Sequence, residues 1–387
     1  MAISADSSPR FRNTQLDILR AVAIIGVLGR HSPWVDSPAM RLWQRAGWAG
    51  VDLFFVLSGF LVAGLLFSEY QERGRFDIVR FYVRRAFKIY PSFYVLLIAT
   101  ILYYGWSSFD WRRIAIEAFF FQSYFAGIQI HTWSLAVEEH FYLLLPLLLA
   151  WMIRKRGNVC LLPRFVLGIG IVCLLWRCAM IWWSGPYLNI AGPRSQVPIV
   201  SMAATFLLHL GRGVTRFDSL FFGVFLSYLY YFRPARFQAL SRMWFLLPVS
   251  LLLLLPCAVF LLESWPMQSI GLTSLYLGFG GLLVWILNRP SPRILYPLAW
   301  VGRYSYSVYL FHVATLNWIV GPLNLSKPVE FILYFFGAFV VGGVAGRLIE
   351  MRFLVLRDRL FPKYASTLGG FDLPASVDSA VTNAISS

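Results

Sequence analysis

Ten apolar runs, each close to the length of a bilayer-crossing helix, leave this chain few folds to choose from. A hydrocarbon core of about 30 Å needs roughly 20 apolar residues in helical form. The runs lie at roughly 14–33, 48–68, 88–106, 133–153, 165–183, 217–232, 243–262, 268–288, 298–320 and 329–350. The expected fold is an all-α integral membrane protein of about ten transmembrane helices. Composition agrees: of 387 residues 58% are hydrophobic and 13% charged, whereas a soluble domain carries about 45–50% apolar and about 25% charged residues. The apolar segment Ile114–Tyr124 is short and suits the interface rather than a span. Gly278, Gly280 and Gly281 in the eighth run, and Gly342, Gly343 and Gly346 in the tenth, are small enough for close helix packing.

Arg10 and Arg12 precede the run Leu16–Leu28, but His31-Ser32-Pro33-Trp34 follows it in place of a small-residue cleavage site. The run therefore reads as a first membrane helix rather than a removed signal peptide. The net charge of +16 resides between the apolar runs. Of 34 Lys and Arg, 23 fall at the two ends and in the even-numbered connections, and eight fall in the odd-numbered ones. Basic residues mark cytoplasmic connections, so both termini are expected in the cytoplasm. No basic stripe interleaved with exposed aromatics forms a separate domain, which excludes nucleic acid as a partner. Cys160, Cys173, Cys178 and Cys257 form no CxxC pair and suggest neither a metal site nor a disulfide framework, only small packing residues. The expected organisation is a cytoplasmic segment 1–13, a membrane domain 14–350, and a cytoplasmic tail 351–387 that is basic and then, from Ala365, disordered in composition.

An ionisable residue near mid-bilayer costs at least about 2.5–3.5 kcal/mol, so each one asks for a reason. The first run holds Asp17, Arg20, Arg30 and His31. Arg20 and His31 are close to three helical turns apart and share a face, and Asp17 is placed to pair with Arg20. The second run carries Asp52 early and Ser58 deeper; the fourth carries the adjacent carboxylates Glu138 and Glu139, which point about 100° apart. Drawn as spans, His31, Asp52 and Glu138 reach similar depth, and a neutral His beside a carboxylate is a common general-base pair. The same residues also fit plain packing roles, as a helix-end salt bridge or a bonded interior carboxylate. Arg84, Arg85 and Lys88 open the third run, where they serve equally as a phosphate site or a topology anchor. His312 in the ninth run either lines the same cavity or is a bonded interior histidine.

In order along the chain, Leu16–Ala21 with ten residues between Arg20 and His31, Gly50–Phe60, Arg84–Pro91, Trp133–Tyr142, Arg216–Gly223 and Tyr304–His312 resemble the acyltransferase 3 family of membrane O-acyltransferases. The resemblance covers about 14 to 350. It implies transfer of an acyl group, usually acetyl, from acyl-coenzyme A to a hydroxyl of a surface polysaccharide, lipopolysaccharide, glycolipid or small glycoside in a bacterial inner membrane. By that likeness His31 is the base and Arg20 supports it; the expected mechanism adds Glu138 as the carboxylate that orients His31. Arg84, Arg85 and Lys88 would hold the coenzyme phosphates, and Asp17, Asp52, Ser58 and His312 would serve substrate or support. Lys88 stands where the family has Arg, which keeps the charge and loses the bidentate fork. His140 stands where the family has Gln. Some members append a hydrolase-like domain; here a second step of that kind would fall to a partner protein. No metal is called for. The alternative class is a transporter or flippase for a glycolipid or polysaccharide, which the absence of an internal repeat disfavours.

The charge bias has a direct test. A reporter fused at Pro266 should register outside the membrane and one at Lys155 inside; the reverse pattern overturns the orientation.

Overall fold

The computed structural model describes residues 13–156, 159–188, 215–262 and 264–361. Among the described residues every regular element is helical. In order they are α1 (Thr14–Arg30), α2 (Pro38–Ala46), α3 (Ala49–Arg73), α4 (Ile78–Tyr104), α5 (Trp111–Ala118), α6 (Trp133–Arg156), α7 (Leu162–Leu188) and α8 (Phe217–Phe232). There follow α9 (Pro234–Arg242), α10 (Leu246–Leu254), α11 (Pro256–Val259), α12 (Leu272–Leu287), α13 (Tyr296–Arg303), α14 (Ser305–Ala314), α15 (Lys327–Ala345) and α16 (Met351–Leu360). Wider π turns lead into α12, extend α14 and join α15 to α16.

Among the described residues six helices are long and apolar enough to cross a membrane, or up to seven if a pair bent by 80° between α9 and α10 counts as one span. Helix α1, at 17 residues, and α8, at 16, fall just short of that length. The expected seventh run, 243–262, starts as helix at Leu246 and its helical bonding is interrupted once, at Leu255. Pro256 lacks an N–H and its ring meets the preceding turn, so α10 stops at Leu254 and α11 restarts at the proline. The ninth run is likewise interrupted, between α13 and α14 at Tyr304. The tenth continues past its expected end, helical as far as Leu360. The disordered stretch expected from Ala365, and Arg10, Arg12, Arg194 and Arg212, lie outside the described residues.

Local chemistry accounts for the ends. Asn13 caps α1 by accepting from the Leu16 N–H, and Asp77 caps α4 by accepting from the Arg80 N–H. Gly74 closes α3 at φ 69°, a left-handed conformation that suits glycine. The apolar pattern is inverted relative to a soluble protein: Leu102, Leu167, Trp182 and Val340 face outward while Asp17, Asp52 and Asp218 are buried.

Helix α3 is the hub. It runs parallel to α8, with Asp52 paired to Arg216, Gly59 against Gly223, and Gly64 against Ser227 and Tyr231. A Cβ added at Gly59 would strike the Leu220 carbonyl, and one at Gly223 the Val56 carbonyl. Small residues thus bring two backbones together, the packing mode that membranes favour. Gly50 performs the same service against α1, Gly302 of α13 against Asp17, and Gly342 of α15 against Val308. Of the glycines expected to pack, Gly278, Gly280, Gly281, Gly342 and Gly346 meet neighbours closely. Gly343 does not: nothing lies within 4 Å of its would-be Cβ, because it faces away from α14.

Overpacking costs about 1–3 kcal/mol, and more where the obstacle is backbone. Gly223→Val should lower the melting temperature of the purified protein or prevent its recovery, while Gly343→Val should melt like the parent. Equal behaviour of the two variants in a detergent melting assay would refute the α3–α8 packing.

Candidate functional site

His31 caps α1, its N–H bonded to the carbonyls of Val27 and Leu28. Ser32 then turns the chain by donating to the Trp34 carbonyl at 2.7 Å, and Pro33 prevents further helix. The imidazole, half-buried, meets the ring of His312 edge-on with centroids 5.0 Å apart. A third ring, His131, lies 5.0 Å from His312 on its own T-shaped contact. Helices α1 and α14 and the loop before α6 therefore bring three histidines into one row.

That loop is built around a carboxylate. Glu117 of α5 accepts from the N–H groups of Ile128 at 2.9 Å and Gln129 at 3.3 Å and from the Thr132 hydroxyl. Burial raises its pKa, against the lowering effect of those three bonds. Tyr309 completes the support, its hydroxyl 2.6 Å from the His131 carbonyl and 2.6 Å from Ser134 Oγ.

The two inner rings are held by backbone carbonyls: His131 Nε2 to Leu310 O at 3.0 Å, and His312 Nδ1 to Tyr309 O at 2.6 Å. A carbonyl only accepts, so each of these nitrogens must carry the proton. His131 Nδ1 and His312 Nε2 are then bare lone pairs, buried and without a hydrogen-bond partner among the described residues. Burial pushes the His131 pKa down to about 3, which keeps that ring neutral.

From this cluster a polar face runs down α6. Ser134, Glu138 and Tyr142 are spaced four apart and share one side of the helix. Glu138 accepts from Tyr142 at 2.7 Å and from Ser58 of α3 at 3.1 Å. The Arg85 guanidinium sits 4.8 Å from the centre of the Tyr142 ring, and Arg85 and Lys88 are both within electrostatic reach of Glu138. Glu139, rotated away, meets Tyr90 of α4 instead.

The candidate residues thus divide. His31 and His312 come together, and Ser58 joins Glu138, as one site would require. Glu138 does not reach His31; its oxygens are engaged by Ser58 and Tyr142. Asp52 is also elsewhere, paired with Arg216, whose guanidinium lies 5.6 Å from the Trp48 ring centre. Asp17 and Arg20 pair at 2.9 Å as expected, near the other end of α1. The basic cluster splits: Arg85 turns inward, while Arg84 bonds Asp358 of α16 at 2.9 Å.

Three residues escaped the sequence reading. His131 lies outside every apolar run, in a loop whose shape depends on distant Glu117. Arg216 counts there as a connection charge, yet it is buried against Asp52. Arg177, buried in α7, bonds Asp218 at 2.6 Å, the Thr215 carbonyl at 2.8 Å and Thr273 at 2.8 Å. Its place inside an apolar run is the signal that would have found it. No group of His, Cys, Asp or Glu among the described residues is arranged to hold a metal ion.

Several relatives are similar over part or most of the chain. The peptidoglycan O-acetyltransferase OatA of Listeria monocytogenes is 25% identical over 370 residues, covering 87% of this chain and 54% of the relative. The O-acetyltransferase OatA of Staphylococcus aureus is 35% identical over 166 residues, covering 38% of this chain and 26% of the relative. The chain thus spans about half the length of the Listeria relative and aligns with a smaller part of the staphylococcal one. No solved structure matches. The acyltransferase domain profile matches residues 13–347. Over that stretch, with its row of histidines and its polar helix face, the chain belongs to the acyltransferase 3 family.

Proposed function

We propose that the chain is an O-acyltransferase that moves an acetyl group from acetyl-coenzyme A to a hydroxyl of a cell-envelope carbohydrate, at a bacterial inner membrane. The observation that carries this reading is the polar face of α6, which joins the histidine row to the inward arginine of α4 through an otherwise apolar interior. A donor that enters at the basic end would meet this row of polar side chains on its way toward a base at the other end. The names of the two relatives point to an acetyl group, and that of the Listeria protein suggests a peptidoglycan sugar or similar glycan as acceptor.

In this reading the membrane domain is 14–350 with ten spans and both termini cytoplasmic. The parallel course of α3 and α8 agrees with an odd number of crossings between them, for which α4, α6 and α7 are the candidate spans among the described residues. The interrupted seventh and ninth runs would then each count as one span.

The chemistry is proton transfer coupled to acyl transfer. The neutral ring of His31 takes the proton of the acceptor hydroxyl as its oxygen attacks the thioester carbonyl. The carbon–sulfur bond breaks, the thiolate leaves, and the His31 imidazolium returns the proton to it, giving ester and free coenzyme. Glu138 acts along the donor path, with Ser58 and Tyr142, rather than as the partner of His31. His131 and His312 offer lone pairs to donors entering the row. Arg20, about 16 Å below His31 along the axis, and Asp17 one turn further support α1 from its lower end, and Asp52 holds α3 to α8.

A general base contributes about 10²–10⁴ in rate. His31→Ala and His31→Gln should both reduce labelled acetyl transfer by at least that factor while the proteins insert and purify normally and still bind coenzyme A. Near-parental transfer by both variants would make His31 structural. A parent that moves glycolipid across vesicles without cleaving the thioester would favour the transporter reading.

A further inference from the structure

At the basic end of the bundle Arg84 of α4 and Arg357 of α16 meet on one carboxylate. Arg84 of α4 donates from Nη2 to Oδ1 of Asp358, 274 positions away, at 2.9 Å, and from Nη1 to the Phe361 carbonyl. Arg357 approaches the same carboxylate from its neighbouring position, Nε to Oδ1 at 3.1 Å and Nη2 to Oδ2 at 3.1 Å. The two arginine side chains are 16% and 14% exposed and the aspartate 48%. Two largely covered forks therefore converge on one anion that faces the water.

Such a carboxylate contributes little as a surface ion pair. What it does is occupy donors whose planar geometry fits phosphate equally well. Arg84 is the member of the basic cluster that the inward path does not use. Arg85 has turned to Tyr142, so a phosphate group carried by a molecule whose other end follows α6 would remain beside Arg84.

We propose that Arg357 joins Arg84 in binding a phosphate of the donor coenzyme, and that Asp358 is the internal anion holding those two arginines until the phosphate displaces it. The proposal rests on the reading of coenzyme A as donor and adds the C-terminal helix to its site. The same chemistry would also accept the phosphate of an anionic lipid, so the test separates the two.

Coenzyme A binding is measured by titration calorimetry on the full chain in nanodiscs of phosphatidylcholine alone and with phosphatidylglycerol added. Arg357→Gln should weaken binding about tenfold, the scale of one lost charge-assisted contact, and Arg357→Lys by less because only the fork is lost. Asp358→Asn should tighten binding severalfold, a gain that misfolding cannot imitate. If Arg85→Gln or Lys88→Gln weakens binding while the Arg357 and Asp358 variants match the parent, the inference fails and the donor reading stands. If the parent binds no coenzyme A in either disc, the donor reading fails and takes the inference with it. If Arg357→Gln abolishes only a stabilisation by phosphatidylglycerol, the site belongs to lipid and the assignment to the donor is overturned.

Discussion

The contact between α3 and α8 is the constraint on which the rest of the bundle depends. Asp52 and Gly59 are seven residues apart on one helix, and Arg216 and Gly223 seven apart on the other, so ion pair and glycine contact lie on one interface two turns apart. The glycines allow the close approach and the charges fix its register. Arg177 and Asp218 extend the interface to α7 and, through Thr273, to α12. Burying a pair of this kind adds little net stability over an apolar pair, but removing one partner leaves a charge in the interior at a cost of about 3–5 kcal/mol. The alternatives in which these helices slide or rotate are therefore strongly disfavoured, which is a form of specificity. With α3 held, Ser58 is presented to α6 at a defined height.

Helix α6 adds a polar face to that scaffold. Its sequence is apolar on most sides, and three polar residues at a four-residue spacing suffice to mark one face. The adjacent carboxylates illustrate how little is needed: one residue along the chain rotates a side chain by about 100°, so Glu138 joins that face and Glu139 joins Tyr90. The histidine row stands at one end of this face and the inward arginine at the other. At the histidine end two ring nitrogens are buried without a hydrogen-bond partner among the described residues, which packing alone does not call for.

Much of this was legible in the sequence and some was not, for physical reasons. Apolar length located the helical segments, and local caps such as Asn13 and Asp77 agree with their starts. The break at Pro256 was in principle readable, since proline cannot continue a helix on its own N–H. The break at Tyr304 was not, because the helices there are positioned by Gly302 against the carbonyl of Asp17, hundreds of residues away. The pairing of Asp17 with Arg20 is local and was foreseen. The partners of Asp52 and Glu138 are remote: Arg216 is 164 positions from the first and Ser58 is 80 from the second. A depth drawing places such residues at the same height without saying which faces turn together. His131 was missed for the same reason, since a loop folded around Glu117 has no periodicity to betray it.

The carbonyl anchors of His131 and His312 have a consequence for how the reaction couples to its surroundings. A relay of protons needs each ring to receive on one nitrogen and release from the other, and a peptide oxygen cannot take the proton released. The row of histidines is therefore a dead end for protons beyond His31. Under the proposed chemistry the proton taken from the acceptor leaves with the thiol formed in the same turnover. No charge crosses the bilayer on this account, and acetyl transfer proceeds independently of the membrane potential, drawing its driving force from the thioester alone.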